Sequence, residues 1–258
     1  MPGAVSDAEF QFFRAVAFVL AVGLATTLQR WRPHAKSRSS VRANLGLWVV
    51  NAVVMGSVCG ACACAVARWA AQSGVGALNV TAAPLWLAIP TTVIGLDFVS
   101  YVWHRANHVV RALWRLHRVH HSDLTFTAST ALRFHPGELL LSLPLRLLAV
   151  ALLGAPAIAV VAFEALFAVA NLIEHGDIDL PSSFERGVGH LLVTPALHRF
   201  HHASVPGDRD HNFGTIFALW DRLLGTYRAS SSAAQVDVGL PEVREALGLR
   251  AALFLPLR

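Results

Sequence analysis

Long stretches without charge constrain the fold of this chain more than any other feature of its sequence. A helix of about 20 mostly apolar residues is enough to cross the hydrocarbon core of a bilayer. Three windows meet this condition: 10–29 carries only Arg14, while 43–67 and 77–96 carry no charge. We expect three transmembrane helices there, the third continuing to Trp103. The mean hydropathy of +0.51 is also that of a membrane protein.

A fourth apolar window, 139–172, contains only Arg146 and Glu164 and is too long for one span. Residues 154–156 (Gly-Ala-Pro) interrupt it near the middle, and a proline inside a helix breaks or kinks it. This window therefore predicts a helical hairpin. Because charges within membrane spans usually pair or meet water, we expect Arg146 and Glu164 to face each other, with contact to a lipid head group as the alternative.

The basic residues predict which side of the membrane each connection occupies. Five lie between the first and second windows: Arg30, Arg32, Lys36, Arg38 and Arg42. The next connection offers only Arg68, so the first should be cytoplasmic. The third span returns the chain to that side, where more arginines follow: Arg105, Arg111, Arg115, Arg118 and Arg133. Since the hairpin leaves and re-enters on one side, segments 102–137 and 174–227 should meet there.

Histidines are the second unusual feature. Of the 13 in the chain, all but His34 lie between His104 and His211. Three clusters stand out by their spacing: His104-x3-His108, His117-x2-His120-His121 and His198-x2-His201-His202. Residues three or four apart on a helix share a face, so each cluster predicts a helix that presents its imidazoles toward a common point. This pattern is typical of metal ligands; the alternative is a polar belt of interfacial histidines.

The number and type of these ligands narrow the choice of metal. Eight histidines exceed the four ligands of a structural zinc site, so we expect two ions with positions left open for reactants. Imidazole suits zinc, copper, iron and nickel, and two irons fit best where membrane spans emerge. An iron pair can reduce dioxygen to an oxidant that breaks an unactivated C–H bond, here within reach of a lipid chain.

Five segments around these clusters carry further motifs, and together they cover about half of the chain. They are 97–108 (DFVSYVWHRANH), 113–122 (LWRLHRVHHS), 133–138 (RFHPGE), 194–202 (TPALHRFHH) and 210–227 (DHNFGTIFALWDRLLGTY). These segments resemble the fatty acid hydroxylase and sterol desaturase superfamily of integral membrane di-iron oxidases. The resemblance implies a polytopic all-α bundle, three spans plus a helical hairpin, beneath a cytosolic His-rich helical cap.

The resemblance also implies which residues carry the chemistry. It places the metal-ligand role, and catalysis with it, on His104, His108, His117, His120, His121, His198, His201 and His202. In this superfamily one further histidine, between the second and third clusters, usually joins the ligands, and His175 at the end of the hairpin occupies the matching place. We therefore expect nine metal ligands for two iron ions, with O2 as co-substrate.

The other histidines receive different interpretations. His135 could be a ligand or a hydrogen-bond donor behind one, and the alternative is a turn residue held by Pro136. His190 and His211 are expected to be ordinary polar residues, and His34 a surface group in the basic loop.

Three acidic and basic residues of the motifs also receive roles. Asp97 precedes His104 by two helical turns and could orient a ligand imidazole, with helix-end hydrogen bonding as the alternative. Asp221 with Arg222 is expected to anchor the cap to the basic, membrane-proximal surface.

No linker divides the middle of the chain, so we expect one integral membrane domain over 1–258. Its N-terminal spans occupy 1–80, its catalytic core 81–228 and its tail 229–258, where the composition changes at Ser230 to Ser232. Apolar residues over 241–255 predict an interfacial or capping helix, and a partly disordered tail is the alternative. Cys59, Cys62 and Cys64 lie in one apolar stretch and are assigned to packing. The first span follows Asp7 and Glu9, which does not resemble a signal peptide.

These inferences predict an O2-dependent di-iron oxidoreductase that hydroxylates a fatty acyl, sterol or related membrane lipid. A desaturase of the same superfamily is the alternative, because both reactions begin by removing a hydrogen. From a different class, a membrane transition-metal transporter would place ligands near the bilayer midplane, and a haem protein is a third option.

Electrons must come from an external donor, since the sequence shows no GxGxxG unit, iron–sulfur pattern or haem domain. A ferredoxin, a cytochrome or a reduced pterin would serve, and a basic cytoplasmic face would attract an acidic carrier. The net charge of +5 is gathered between the spans, which favours a membrane surface over nucleic acid as partner.

Overall fold

A computed structural model describes residues 6–34, 41–58, 62–229 and 236–258. Within these ranges the regular elements are helices, with isolated bridges but no strand. Lys36, Arg38, Cys59 and Ser230 to Ser232 lie outside the described residues. The α-helices are α1 (Asp7–Trp31), α2 (Val41–Val58), α3 (Cys62–Ser73), α4 (Ala77–Val80), α5 (Leu85–Val109), α6 (Arg111–His121), α7 (Pro136–Leu153), α8 (Ala157–Glu174), α9 (Ser182–Val188), α10 (Pro195–His201), α11 (Pro206–Arg209), α12 (Leu219–Leu223) and α13 (Leu249–Phe254).

Among the described residues, five helical segments are long and apolar enough to cross a membrane. They are Asp7–Trp31, Val41–Val80, Leu85–Val109, Pro136–Leu153 and Ala157–Glu174. The second includes α2, α3 and α4, and residues 59–61 within it are not described. The protein is therefore an all-α, multi-pass membrane protein, as the apolar windows predict.

The third span differs from its predicted bounds. The window 77–96 contains a separate short helix, α4, followed by a turn in which Ala82 has a left-handed φ of 48°. α5 begins only at Leu85, with Pro84 at its N-cap, where a residue that lacks a backbone N–H is readily accepted. It then runs past Trp103 to Val109, with Pro90 inside it, so one helix carries the span and the first histidine cluster.

The predicted hairpin is present as α7 and α8. Gly154 ends α7 in a left-handed conformation, φ 66°, and Pro156 is the N-cap of α8. An Arg146 Nη1–H donates to Glu164 Oε1 at 3.2 Å, which confirms that these two residues face each other. Arg14 of α1 approaches the other carboxylate oxygen of Glu164 at 3.6 Å.

The C-terminal segment caps the bundle, as one of the two alternatives predicts, but with a shorter helix than expected. Its described part is ordered, but only Leu249–Phe254 is α-helical, and a 3-10 turn follows at Leu255–Leu257. Gly248 at the N-cap separates this helix from the turns before it. Leu240, Val243 and Ala252 pack with Leu47 of α2 and Val119 of α6, so the segment closes one end of the bundle.

The basic end of α1 and the second His-rich segment lie at that same end of the bundle. The Asp179 N–H donates to the Arg32 carbonyl at 2.8 Å, and the His34 N–H donates to the Asp177 carbonyl at 3.2 Å. His34 is thereby half-buried rather than a free surface group. Cys64 is buried among Phe10 and Ala67, which confirms its packing role.

Candidate metal centre

All nine histidines predicted to be metal ligands converge in two groups, at the end of the bundle that the C-terminal segment closes. The first holds five residues: His104, His108, His117, His121 and His201. The second holds four: His120, His175, His198 and His202. Within each group the candidate ligand nitrogens lie within 4.8 Å of one another. The two groups are adjacent, since the His121 and His202 rings stack at 4.3 Å.

The helical period explains how the sequence divides its histidines between the two groups. On α6, His117 and His121 are four residues apart and join the first group, while His120 faces the second. On α10, His198 and its C-cap residue His202 join the second group, while His201 faces the first. A His-x2-His-His motif on a short helix therefore contributes ligands to both groups.

In the first group, most rings are fixed by a hydrogen bond from Nδ1. The acceptors are the Phe213 carbonyl for His104 (2.8 Å), Asp210 Oδ1 for His108 (3.3 Å), Glu138 Oε1 for His117 (2.9 Å) and the His211 carbonyl for His201 (2.7 Å). These oxygens only accept, so each Nδ1 carries the proton and each Nε2 offers a lone pair. This is the arrangement in which a histidine binds a metal through Nε2.

The second group is centred on His175. Its Nδ1–H donates to the Asn171 carbonyl at 2.7 Å, which leaves Nε2 with a lone pair. That Nε2 lies 3.0 Å from His120 Nε2 and 2.9 Å from His198 Nε2. Two nitrogen ligands about 2.1 Å from one ion and at a right angle lie about 3.0 Å apart, so this spacing fits a shared metal.

Unpartnered buried nitrogens give an independent test of this fit. In the part of the chain that the structure describes, these ring nitrogens have no hydrogen-bond partner: Nε2 of His104, His108, His117, His201 and His202, Nδ1 of His120 and His198, and both nitrogens of His121. Buried polar atoms are almost always paired, so such a concentration needs an occupant. Ring nitrogens with free lone pairs are suited to transition-metal ions such as iron.

Burial also sets the charge state of the rings outside the spans. Removal from water lowers the pKa of His120, His121, His198 and His202 well below the usual value, because the charged imidazolium is poorly solvated there. The same effect lowers the pKa of His175 and His201 to about 3. These rings are therefore neutral at physiological pH, the state that binds metal.

The remaining histidines lie outside both groups. His135 caps α7: its Nδ1 accepts from the Gly137 N–H at 3.0 Å and its Nε2–H donates to the Leu253 carbonyl at 3.2 Å. Both ring nitrogens are thus occupied, which supports the turn interpretation. His190 Nδ1 is 2.6 Å from the Arg186 carbonyl, and His211 contributes its backbone carbonyl to His201.

Asp97 and Asp221 hold the 210–227 segment in place. Asp97 accepts from the N–H groups of Ile216 (3.1 Å) and Phe217 (3.2 Å) and from Trp220 Nε1 (2.8 Å). It therefore acts on the backbone before α12, not directly on an imidazole. Asp221 accepts from the N–H groups of Phe213 and Gly214, both at 2.8 Å. These bonds fix the carbonyl of Phe213 against His104.

Arg222 donates to the Gly189 carbonyl and stacks on Tyr227. Asp221 thus braces its own segment and Arg222 joins that segment to the C-cap of α9, in place of the predicted anchoring to a basic surface. Arg133, expected among the cytoplasmic basic residues, is fully buried and donates to the Val119 carbonyl, Ser122 and Asn44. It joins the end of α6 to α2 and adds no charge to the exposed face.

Two buried glutamates beside the imidazoles had no role in the sequence-based prediction. Glu138 belongs to the segment 133–138, where Glu follows His135-Pro136-Gly137, and it accepts from both His117 and Asn107. Glu174 directly precedes His175, and its carboxylate lies 3.8 Å from the Nδ1 atoms of His175 and His198. Glu174 could have been predicted as a site residue, because it is adjacent in sequence to the predicted ligand His175.

A pocket of about 600 Å³, including its open mouth, leads from the histidines between α5, α7 and α8. Its histidine end is formed by His104, His117, His120, His175 and His198. Farther along lie apolar side chains, among them Val99, Trp103, Leu145 and Phe167. Such a channel between membrane-spanning helices is the shape expected for an alkyl chain that approaches the imidazoles from the bilayer.

A membrane-spanning bundle that gathers two histidine groups beside an apolar pocket defines a class of integral membrane metalloproteins. A fatty acid hydroxylase family model matches residues 89–226, and the chain belongs to this family. This range includes all nine converging histidines.

Several characterised relatives agree with the family. The chain is 31% identical over 158 residues to ornithine lipid hydroxylase OlsE of Rhizobium tropici, covering 60% of this chain and 47% of the relative. It is 30% identical over 143 residues to human alkylglycerol monooxygenase (54% and 30%) and 28% identical over 141 residues to human cholesterol 25-hydroxylase (54% and 50%). The match thus spans half of each relative or less. No solved structure matches the chain.

Proposed function

We propose that this protein is an O2-dependent di-iron oxidoreductase that hydroxylates a C–H bond of a membrane lipid. The observation that carries the proposal is the convergence of nine buried imidazoles, in groups of five and four, at one end of a bundle of membrane-spanning helices. The family is one of iron-dependent monooxygenases, and the relatives are named as hydroxylases or monooxygenases of lipids.

In this proposal the five histidines of the first group would hold one iron and the four of the second group the other. When bound, the two irons would activate dioxygen and supply the oxidising power for C–H cleavage. The protein keeps the imidazoles neutral through burial and aims them through their Nδ1 partners. Ligands fixed in this way need no reorganisation when the substrate arrives.

The pocket supports a lipid substrate. Its walls between α5, α7 and α8 present Val99, Trp103, Leu145 and Phe167 to a hydrocarbon chain, while its end is formed by imidazoles of both groups. A substrate C–H bond at that end would lie beside imidazoles of both groups. The polar groups there, Glu138 and Glu174, are buried beside the rings. Their carboxylates would offset the positive charge of the ions.

The electron donor and the side of the membrane belong to the same proposal. We place the histidine end in the cytoplasm because Arg30 and Arg32, at the end of α1, share it with residues 177–179 after His175. A ferredoxin, a cytochrome or a reduced pterin would deliver electrons there. We also treat 1–258 as one unit, since α1 and α3 pack on α8 and α13 packs on α2.

The test combines metal analysis with lipid analysis. Protein purified from membranes should hold two tightly bound irons per chain, whereas exchangeable, substoichiometric zinc would favour a transporter and a Soret band a haem protein. Lipids from cells with and without the protein should differ by one added oxygen in one lipid class. Two lost hydrogens would identify a desaturase. Unchanged lipids in cells that contain iron-loaded protein would contradict the proposed activity.

A further inference from the structure

Three charged side chains meet inside the membrane-spanning part of the bundle, away from the histidines. Glu164 of α8 lies between Arg146 of α7 at 3.2 Å and Arg14 of α1 at 3.6 Å. The exposed fractions of the three side chains are 16%, 33% and 44% in the same order. All three residues lie in segments long and apolar enough to cross the membrane.

The charges of this trio do not balance. Two guanidinium groups, which remain protonated in proteins, share one carboxylate, so the trio carries one unpaired positive charge. Ionisable groups within membrane spans are costly, and they pair with one another or mark the path of a substrate. The unpaired charge therefore indicates an anionic partner that enters from the bilayer or from the pocket.

The pocket connects this charge to the histidines. Arg146 lines the same cavity as His117 and His175, and its guanidinium lies 5.7 Å from the ring centre of Phe167, another lining residue. Glu138, which is bonded to His117, lies eight residues earlier on α7, so the distance along that helix is about 12 Å. The cavity thus has imidazoles at one end, apolar walls and a cation about 12 Å away.

We propose that Arg146, supported by Arg14, binds the anionic group of an amphiphilic lipid and so positions its hydrocarbon chain against the histidines. The guanidinium fork suits a carboxylate or a phosphate. An extended hydrocarbon chain advances about 1.2 Å per bond, the same as an extended polypeptide, in which three bonds span about 3.5 Å. A distance of about 12 Å therefore corresponds to about ten bonds between the group bound at Arg146 and the histidine end of the pocket. The carbon exposed to oxidation would lie about that far from the anionic group, a regiochemical statement that rests on the proposed function.

Binding tests the proposal without requiring turnover. The full-length protein with its metal is placed in nanodiscs of zwitterionic lipid, and its affinity for palmitate, hexadecyl phosphate and uncharged methyl palmitate is measured. We expect at least one of the two anions to bind about ten-fold or more tightly than the ester. A preference for palmitate identifies a carboxylate and the reverse preference a phosphate, and either supports the site. Equal affinity for all three would overturn it.

Three variants separate binding from folding. Arg146→Met should lose the preference for the anion while affinity for the ester stays unchanged, and Arg146→Lys should retain most of it. Glu164→Gln removes the competing carboxylate, so the anion should bind more tightly than in the wild type. Reduced anion binding in Glu164→Gln would overturn the proposal, since only a structural role of the trio predicts it. Arg30→Met, exposed at the end of α1, is the matched control and should change nothing.

The outcome is independent of the proposed activity. Protein that discriminates between palmitate and methyl palmitate but oxidises neither would refute the oxidase and keep the anion site. If the protein turns over, mass spectrometry of the product gives the position of the new oxygen. Oxidation about ten bonds from the anionic group agrees with anchoring at Arg146, whereas an oxygen adjacent to that group would contradict it.

Discussion

At the residue scale, thirteen identical side chains acquire different roles through the partner of each ring nitrogen. His104 and His201 donate from Nδ1 to carbonyl groups and keep Nε2 unpartnered, whereas His135 uses both nitrogens to join α7 to the C-terminal segment. A ring with both nitrogens occupied cannot also bind an ion. The spacing of histidines in the sequence distinguished metal ligands from structural histidines only in part. The hydrogen-bond acceptor of a ring can be distant in the chain, as the Phe213 carbonyl is from His104.

Removal of one imidazole from either group should abolish metal binding. We expect His201→Ala, in the first group, and His120→Ala, in the second, to lose iron and turnover together, because each leaves an incomplete ligand set in a buried site. The measurement is the iron content per chain of the purified protein, by inductively coupled plasma mass spectrometry. His34→Ala and His190→Ala lie outside both groups and should keep nearly full iron content. Equal iron in all four variants would contradict the ligand assignment.

Glu138 should act on the metal through His117. Replacement by Ala removes the acceptor of the His117 Nδ1–H and of Asn107, so the ring loses the bond that aims Nε2. Substitutions of this kind cost about 10- to 100-fold in metal affinity. Competition with a chelator of known affinity measures the change. Glu242→Ala removes an exposed carboxylate paired with Arg118 and serves as the control, with unchanged affinity.

At the scale of elements, the sequence predicted the helices that have a strong period and missed the bounds set by turns. The His-x2-His-His motifs lie on helices, as their spacing indicated, and the break at residues 154–156 separates α7 from α8. The start of α5 was placed eight residues too early because window 77–96 is uncharged whether or not it is helical. Apolar composition reports burial in lipid, whereas Pro84 and the left-handed Ala82 determine where the helix begins.

The segment 210–227 was recognised as a motif, but its physical role could not be predicted. Its contribution consists of backbone carbonyls from His211 and Phe213, and any residue type supplies a carbonyl. Those carbonyls are held at the rings by bonds that the carboxylates of Asp97 and Asp221 accept from backbone N–H groups of the segment. The extent of the C-terminal helix was overestimated for a similar reason, since contacts with α2 and α6 hold that segment in place.

Gly214 gives a sharp test of this element. A Cβ at this position would lie 2.5 Å from the Phe217 carbonyl oxygen and 2.9 Å from Asp221 Oδ2. Gly214→Ala should therefore displace the segment that fixes His104 and destabilise the protein by about 1–3 kcal/mol. Thermal unfolding and iron content should both fall. Gly207→Ala has no atom within 4 Å of its Cβ and should match the wild type; a Gly214→Ala protein with wild-type stability and iron content would refute the bracing role.

At the scale of the whole molecule, one end of the bundle collects all the candidate metal ligands. The histidine groups, the C-terminal cap on α2 and α6, and the contact between Arg32 and residue 179 share this end, while the α7–α8 turn and the segment around Gly76 form the other. This arrangement follows from an even number of crossings between the two His-rich segments, which the hydropathy pattern alone predicted. The side of the membrane on which this end lies is predicted only by the distribution of arginines.

The orientation can be measured with single cysteines. In a background with Cys59, Cys62 and Cys64 replaced by alanine, Asp179→Cys reports the histidine end and Val80→Cys, in exposed α4, the opposite end. The positive-inside rule predicts that a membrane-impermeant maleimide labels position 80 in intact cells and position 179 only in inverted vesicles. The reverse pattern would place the histidines outside the cytoplasm and out of reach of a ferredoxin or cytochrome donor. Since Arg133 is buried and contributes nothing to the exposed charge, the signal falls to the other basic residues at this end, among them the exposed Arg30, Arg32 and Arg42. Their simultaneous replacement by glutamine should make the labelling mixed.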